Sequence, residues 1–185
     1  MAHVPAPSQV ATSSASQTSS PSSAIDEARV QSAINAFAAG ADAPKRWIAG
    51  LSREQLLAHP VPKTWSMQTL IVHMLESDLA AVHRMRRVAA EDMPLLIAYD
   101  ETRAAAHLAY DKADAAQVCE LFSLLRAFAT SWLRTLPPSA FTRCGVHNQR
   151  GRVSLTDLVD IYVHHVNHHE KFAFEKRKAL GMPTT

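Results

Sequence analysis

The stretch LVDIYVHHVNHH, residues 158–169, places four histidines within six positions of a helical pattern. Residues four apart on a helix lie on one face, with their Cβ atoms about 5–6 Å apart. Two pairs have this spacing, His164 with His168 and His165 with His169. Either pair can direct two imidazoles toward one point, so this helix carries the chemistry around which the fold must be built.

The helical period of the neighbouring residues indicates which pair faces the core. One series has spacings of 4, 3, 4 and 3 and is apolar apart from its histidines: Leu158, Tyr162, His165, His169 and Phe172. The competing series, through His164 and His168, has polar ends. We therefore expect His165 and His169 to face the core, and His164 and His168 to lie nearer its edge.

Capping signals predict further helices along the chain. Ser66, Asp114 and Ser154 each precede a long apolar pattern, and Ser52 with Gln55 is a capping box for a short helix. A first helix is predicted from Ile25 to a stop at Gly40, and the last is predicted to reach about Leu180. Four long helices predict an all-α four-helix bundle over residues 25–181.

The segments between the helices show no sustained strand alternation. We predict a loop followed by a short helix over residues 95–107, and a loop over residues 141–152. Residues 1–24 are rich in Ser, Ala and Pro and predict a disordered tail, because they offer too little apolar surface to offset the entropy of ordering. The tail has neither a basic nor a continuous apolar region, so it does not resemble a secretory signal.

Composition restricts the class of protein and its partners. The chain has 185 residues, of which 47% are hydrophobic, and a net charge of +2, which gives no reason to expect a nucleic acid partner. Its five glycines form no phosphate-binding loop, and no apolar run is long enough for a transmembrane helix. Cys119 and Cys144 lack CxxC spacing. A cytoplasmic protein with reduced cysteines is expected.

Two histidines alone make an incomplete metal site, so a third should come from another helix. His73 is the best candidate because it shares the apolar stripe of its own helix with Leu70 and Ala80. Three histidine ligands leave a position open, as in catalytic sites, where a divalent cation lowers the pKa of bound water to about 7. The alternative without a metal is a hydrogen-bonded network of core histidines.

Three segments resemble the DinB-like family of metal-binding four-helix bundles. They are Trp65-Ser66 followed by His73 in HMLESD, the lead RGRVSLTDL over residues 150–158, and IYVHHVNHHEKF over residues 161–172. The resemblance implies that His73, His165 and His169 bind a divalent metal, most often zinc or nickel. It also implies a homodimer and a small-molecule substrate. Glu170-Lys171-Phe172 and His164 depart from the usual family pattern.

The function implied by the resemblance is a metal-dependent hydrolase that uses a metal-activated water at the three-histidine site. The catalytic base is not evident, and His168, Glu76 and, secondarily, His164 are the candidates to transfer protons. One alternative is a metal-dependent thiol S-transferase or isomerase that uses a low-molecular-weight thiol. Another is a non-catalytic metal-binding bundle associated with stress.

Overall fold

A computed structural model describes residues 26–184, so the predicted tail over residues 1–24 lies outside the described residues. In chain order the elements are α1 (Glu27–Ala39), α2 (Ala43–Ile48), α3 (Arg53–Leu57), α4 (Met67–Ala90), β1 (Leu95–Leu96), α5 (Glu101–His107), a 3-10 turn (Tyr110–Lys112), α6 (Ala115–Leu133), a second 3-10 turn (Pro138–Thr142), β2 (Cys144–His147), β3 (Gly151–Ser154) and α7 (Leu155–Ala179). The long helices α1, α4, α6 and α7 form the predicted four-helix bundle. Helices α1 and α4 each pack against both α6 and α7.

The helices begin at the capping residues that the sequence predicts. Ser66 accepts a hydrogen bond from the Thr69 amide at α4, and Asp114 accepts one from the Gln117 amide at α6. Capping boxes begin α3, at Ser52, and α7, at Ser154. Each cap satisfies an amide that the first turn leaves without an intrahelical acceptor. The helix starts are therefore set by local hydrogen bonds as well as by apolar burial.

A small three-stranded sheet corrects the prediction that residues 141–152 are a loop. Strands β2 and β3 form an antiparallel hairpin, and β1 pairs parallel to β2 with Leu95 opposite Val146. The strands are two to four residues long, too short for alternation to be recognised in the sequence. The short helix predicted after Leu95 is confirmed as α5.

Buried apolar side chains from all four long helices fill two packed clusters. One surrounds Phe37 and Met85, and the other surrounds Trp47, Met74 and Phe122. None of the helices within residues 26–184 has both the length and the apolar composition that crossing a bilayer requires.

A buried ion pair joins the four helices of the bundle. Arg126 of α6 donates through Nε and Nη2 to the two carboxylate oxygens of Asp78 in α4, at 2.5 and 3.2 Å. It also donates to the carbonyl oxygens of Phe37 in α1 and Tyr162 in α7, at 3.1 and 3.0 Å. Both charged side chains are 0% exposed. One guanidinium thus links α6 to the other three long helices and fixes their positions along the bundle axis.

Removal of this guanidinium should strongly destabilise the protein. In Arg126→Leu, the Asp78 carboxylate remains buried without its partner, and we expect the free energy of unfolding to fall by about 3–5 kcal/mol in urea denaturation. The double variant Arg126→Leu/Asp78→Leu should lose less than the sum of the two single variants, because it leaves no uncompensated charge. Arg29→Ala, which removes the exposed pair with Asp160, is the control and should change stability little. Additive losses in the double variant would contradict this account.

Gly145 is required by the close packing of β2. A Cβ atom at this position would lie 2.9 Å from the Pro94 carbonyl oxygen and 3.0 Å from Val88 Cγ2. We expect Gly145→Ala to lower the free energy of unfolding by about 1–3 kcal/mol, because the backbone must move to relieve the overlap. The matched control is Val146→Thr at the neighbouring, exposed position, and equal stability of the two variants would refute the steric explanation.

Candidate metal centre

The structure brings together the three histidines named from the sequence. His73 lies on α4, and His165 and His169 lie one turn apart on α7. The Nε2 atom of His165 is 3.2 Å from Nε2 of His73 and 3.0 Å from Nε2 of His169. His73 is buried, and the other two are half-buried and line a cleft. Three imidazole nitrogens therefore converge on one point.

Hydrogen bonds among the three rings cannot satisfy all of their nitrogen atoms. A neutral imidazole nitrogen carries either one N–H or one in-plane lone pair, so Nε2 of His165 cannot serve both neighbours well. The Nδ1 atoms of His73 and His169 are buried and have no partner within residues 26–184. Nδ1 of His165 lies 3.5 Å from the Ser77 hydroxyl oxygen. Packing also orients the rings, since the Trp65 ring centroid is 5.0 Å from that of His73.

Burial keeps all three rings neutral. It lowers the pKa of His73 to about 4, that of His169 to about 3 and that of His165 to about 2. For His165 and His169 the neighbouring imidazoles lower the pKa further, because a second positive charge nearby is unfavourable. Neutral imidazole is the form that binds metal ions, so the rings need not release protons to do so near pH 7.

The donor set fits a divalent metal. Imidazole nitrogens bind zinc at about 2.0–2.1 Å, so two of them on one ion lie roughly 3 Å apart. The observed separations of 3.0 and 3.2 Å agree with that spacing. His73, His165 and His169 are the group of potential ligands that residues 26–184 bring together. Their role as ligands stays a prediction.

A carboxylate that sequence reasoning missed lies beside the histidines. Oε2 of Glu101 is 3.7 Å from Nε2 of His73. Glu101 opens α5, where Asp100 caps the helix, and its side chain is 57% exposed. The acidic pair Asp100-Glu101 at a helix start was a visible signal, but only the tertiary course of the chain after β1 brings it to α4.

The catalytic candidates named from the sequence occupy different places. His168 and His164 are exposed and line the same cleft as His165 and His169. His168 contacts His169 and Phe172 through ring edges, with centroids 5.2 and 5.0 Å apart. Glu76 instead lines a second cavity and not the cleft of the histidines. The structure thus brings Glu101, and not Glu76, to the histidines.

The cleft has a volume of about 700 Å³ and a second polar end. There Arg84 donates to the Tyr162 hydroxyl oxygen at 2.6 Å, and the ring centroid of Tyr162 is 6.1 Å from that of His165. His147 and Arg150, from the β2–β3 hairpin, also line this end. The cleft is large enough for a small molecule that reaches from the histidines to the arginines.

Comparison with known proteins finds relatives with related descriptions. The chain is 27% identical over 128 residues to a protein of Oceanobacillus iheyensis named "Putative metal-dependent hydrolase", covering 68% of this chain and 72% of that protein. Its fold is similar to that of YfiT from Bacillus subtilis, described as "a probable metal-dependent hydrolase with an unusual four-helix bundle topology". The TM-score is 0.80 at 21% identity, over 89% of this chain and 95% of that one.

A family model identifies the family to which the chain belongs. It matches residues 36–173, which include all four long helices in whole or in part and the three convergent histidines. The chain belongs to the DinB superfamily.

Proposed function

We propose that this protein is a metal-dependent hydrolase in which His73, His165 and His169 hold a divalent metal. The observation that carries the proposal is the convergence of three imidazole Nε2 atoms, two of them on histidines that line a cleft. The descriptions of the relatives support the same reaction class. A divalent metal in an open three-histidine site supplies Lewis-acid activation of a water and of the oxygen of a bound carbonyl or phosphoryl group.

Glu101 is the proposed general base. Its carboxylate lies beside His73. There it can accept the proton of a water that attacks an ester or amide carbon. The water oxygen bonds to that carbon, the bond to the leaving group breaks, and the proton held by Glu101 passes to the leaving group.

His168, which also lines the cleft, has a supporting role in the proposal. His168 packs against His169 and holds the orientation of that ring, and it stays a candidate to transfer protons. Zinc or nickel as the metal, a homodimer and a cytoplasmic location remain predictions. Exposed apolar side chains on α6, among them Leu121, Leu124 and Phe128, support a second copy as the partner.

Metal binding is the first test. We expect untagged wild-type protein to hold one divalent ion per chain by elemental analysis, with unfolding shifted to higher temperature by added zinc or nickel. His165→Ala should weaken binding by at least a hundredfold, because one of three ligands is lost. His164→Ala, at the adjacent exposed position, is the matched control and should bind as wild type does. Absence of bound metal together with no thermal shift would instead favour the hydrogen-bonded histidine network.

The role of Glu101 is tested by hydrolysis of a panel of nitrophenyl esters and anilides. Glu101→Gln should lower kcat by about 10²–10⁴-fold with metal content unchanged, because the base is lost and the histidines remain. Glu76→Gln is the control and should retain activity. Loss of metal from Glu101→Gln would make this residue a ligand and not the base.

Three results would redirect the functional proposal. Full metal occupancy with no turnover across the panel would favour the non-catalytic metal-binding bundle. Turnover that requires a low-molecular-weight thiol would favour the S-transferase or isomerase. Full activity in metal-free protein would remove the proposed centre from the reaction.

A further inference from the structure

Arg84 is a buried cation that faces the cleft without a negative partner. Its side chain lies on α4 and is 9% exposed. Nη1 donates to the Tyr162 hydroxyl oxygen and Nη2 to the Ile97 carbonyl oxygen, each at 2.6 Å. No carboxylate within residues 26–184 forms an ion pair with it. The five N–H groups of a guanidinium exceed these two acceptors, so donors remain for a further group.

Comparison with the other buried cations shows why this one is unusual. Arg126 is compensated by Asp78, which binds it through two hydrogen bonds. Arg177 donates to three backbone carbonyl oxygens, and neither it nor Lys176 lines the cleft. A guanidinium is always charged in proteins, and burial of an uncompensated charge is costly. Arg84 therefore combines an unbalanced charge with access to the cavity beside the histidines.

A second arginine lies at the same end of the cleft. Arg150 is exposed on the turn between β2 and β3, and it too has no carboxylate partner within residues 26–184. Arg84 and Arg150 both lie close enough to His147 to lower its pKa, after burial, which is the largest cause. Both effects disfavour a positive charge on His147, whereas the two guanidinium groups carry a positive charge at this end.

The acidic residues of the cleft are engaged elsewhere. Asp160 pairs with Arg29 at 3.0 Å, and Asp157 accepts the Ser154 amide hydrogen at 2.9 Å as part of the α7 cap. Glu101 lies at the opposite, histidine end, 3.7 Å from His73. The cleft is therefore polarised, with a cationic end and a histidine end separated by the ring of Tyr162.

We propose that the substrate carries a carboxylate or phosphate group. This inference rests on the proposed hydrolase function. Arg84 and Arg150 bind this anion, and the bond to be cleaved lies at His73, His165 and His169. A guanidinium binds either anion through parallel N–H···O bonds, so the shared chemistry is an oxyanion with two or more acceptor oxygens. Neutral esters of similar size lack this anchor and should be poorer substrates.

Calorimetric titration with succinate and with inorganic phosphate tests the anion site on the metal-loaded full chain. We expect at least one of the two to bind with one site per chain, and the one that binds identifies the anion class. Arg84→Gln and Arg150→Gln should each weaken binding at least tenfold. Arg152→Gln, on the same hairpin but outside the cleft, is the matched control and should bind within twofold of wild type.

Two further variants separate the anion site from folding and from the metal. Arg84→Lys keeps the charge but loses the planar fork, so it should retain binding better than Arg84→Gln. Arg150→Gln changes an exposed side chain and tests the site even if Arg84→Gln fails to fold. His165→Ala should still bind the anion, which distinguishes the arginine end from coordination to a metal.

The anion-binding results overturn or support the proposal whether or not the protein hydrolyses esters. Binding of neither succinate nor phosphate overturns it, as does binding that persists in both arginine variants or disappears in His165→Ala. Anion binding at the arginines without ester hydrolysis would show that the hydrolase function has failed while the anion site is real. With hydrolysis, the ratio of kcat/KM for a nitrophenyl hemisuccinate to that for a nitrophenyl butyrate should fall at least tenfold in Arg150→Gln.

Discussion

The link that Arg126 makes between α6 and the other three long helices is the constraint on which the rest of the structure depends. A charge buried at 0% exposure tolerates little displacement, because its partners are one carboxylate and two backbone carbonyl groups. Asp78 lies five residues after His73, and Tyr162 lies three before His165. The guanidinium therefore fixes the axial positions of α4 and α7 at which their imidazoles meet. Bundle stability and site geometry are coupled through this one side chain.

Tyr162 extends the same coupling to the cleft. Its backbone carbonyl accepts from Arg126 in the bundle interior, and its hydroxyl accepts from Arg84 at the cationic end. Burial raises the pKa of the Tyr162 hydroxyl, so it remains a neutral acceptor that does not compensate the Arg84 charge. Tyr162 thus lies between Arg126, which Asp78 compensates, and Arg84, which keeps free N–H donors. This difference is what gives the cleft its polarity.

Much of this architecture could be predicted from the sequence, for physical reasons that differ between elements. Helix starts follow from local caps such as Ser66 and Ser154, and the 4-3 spacing through His165 and His169 identifies their face. The β1–β2 pairing and the position of Glu101 depend on contacts between distant segments, which periodicity does not encode. Asp78 and Arg126 were a readable signal, since each is a charge within an apolar helical pattern, but their pairing required the tertiary structure.

The division of the three histidines between helices has a consequence for biosynthesis. His73 leaves the ribosome with α4, whereas His165 and His169 emerge only with α7, the last helix of the bundle. Until then the nascent chain presents only one of the three convergent histidines, so the group is incomplete. Asp78 and Arg126 emerge earlier and can pair while α7 is still being synthesised. On the proposed function, metal binding therefore follows synthesis of α7 and comes after the first three long helices can assemble.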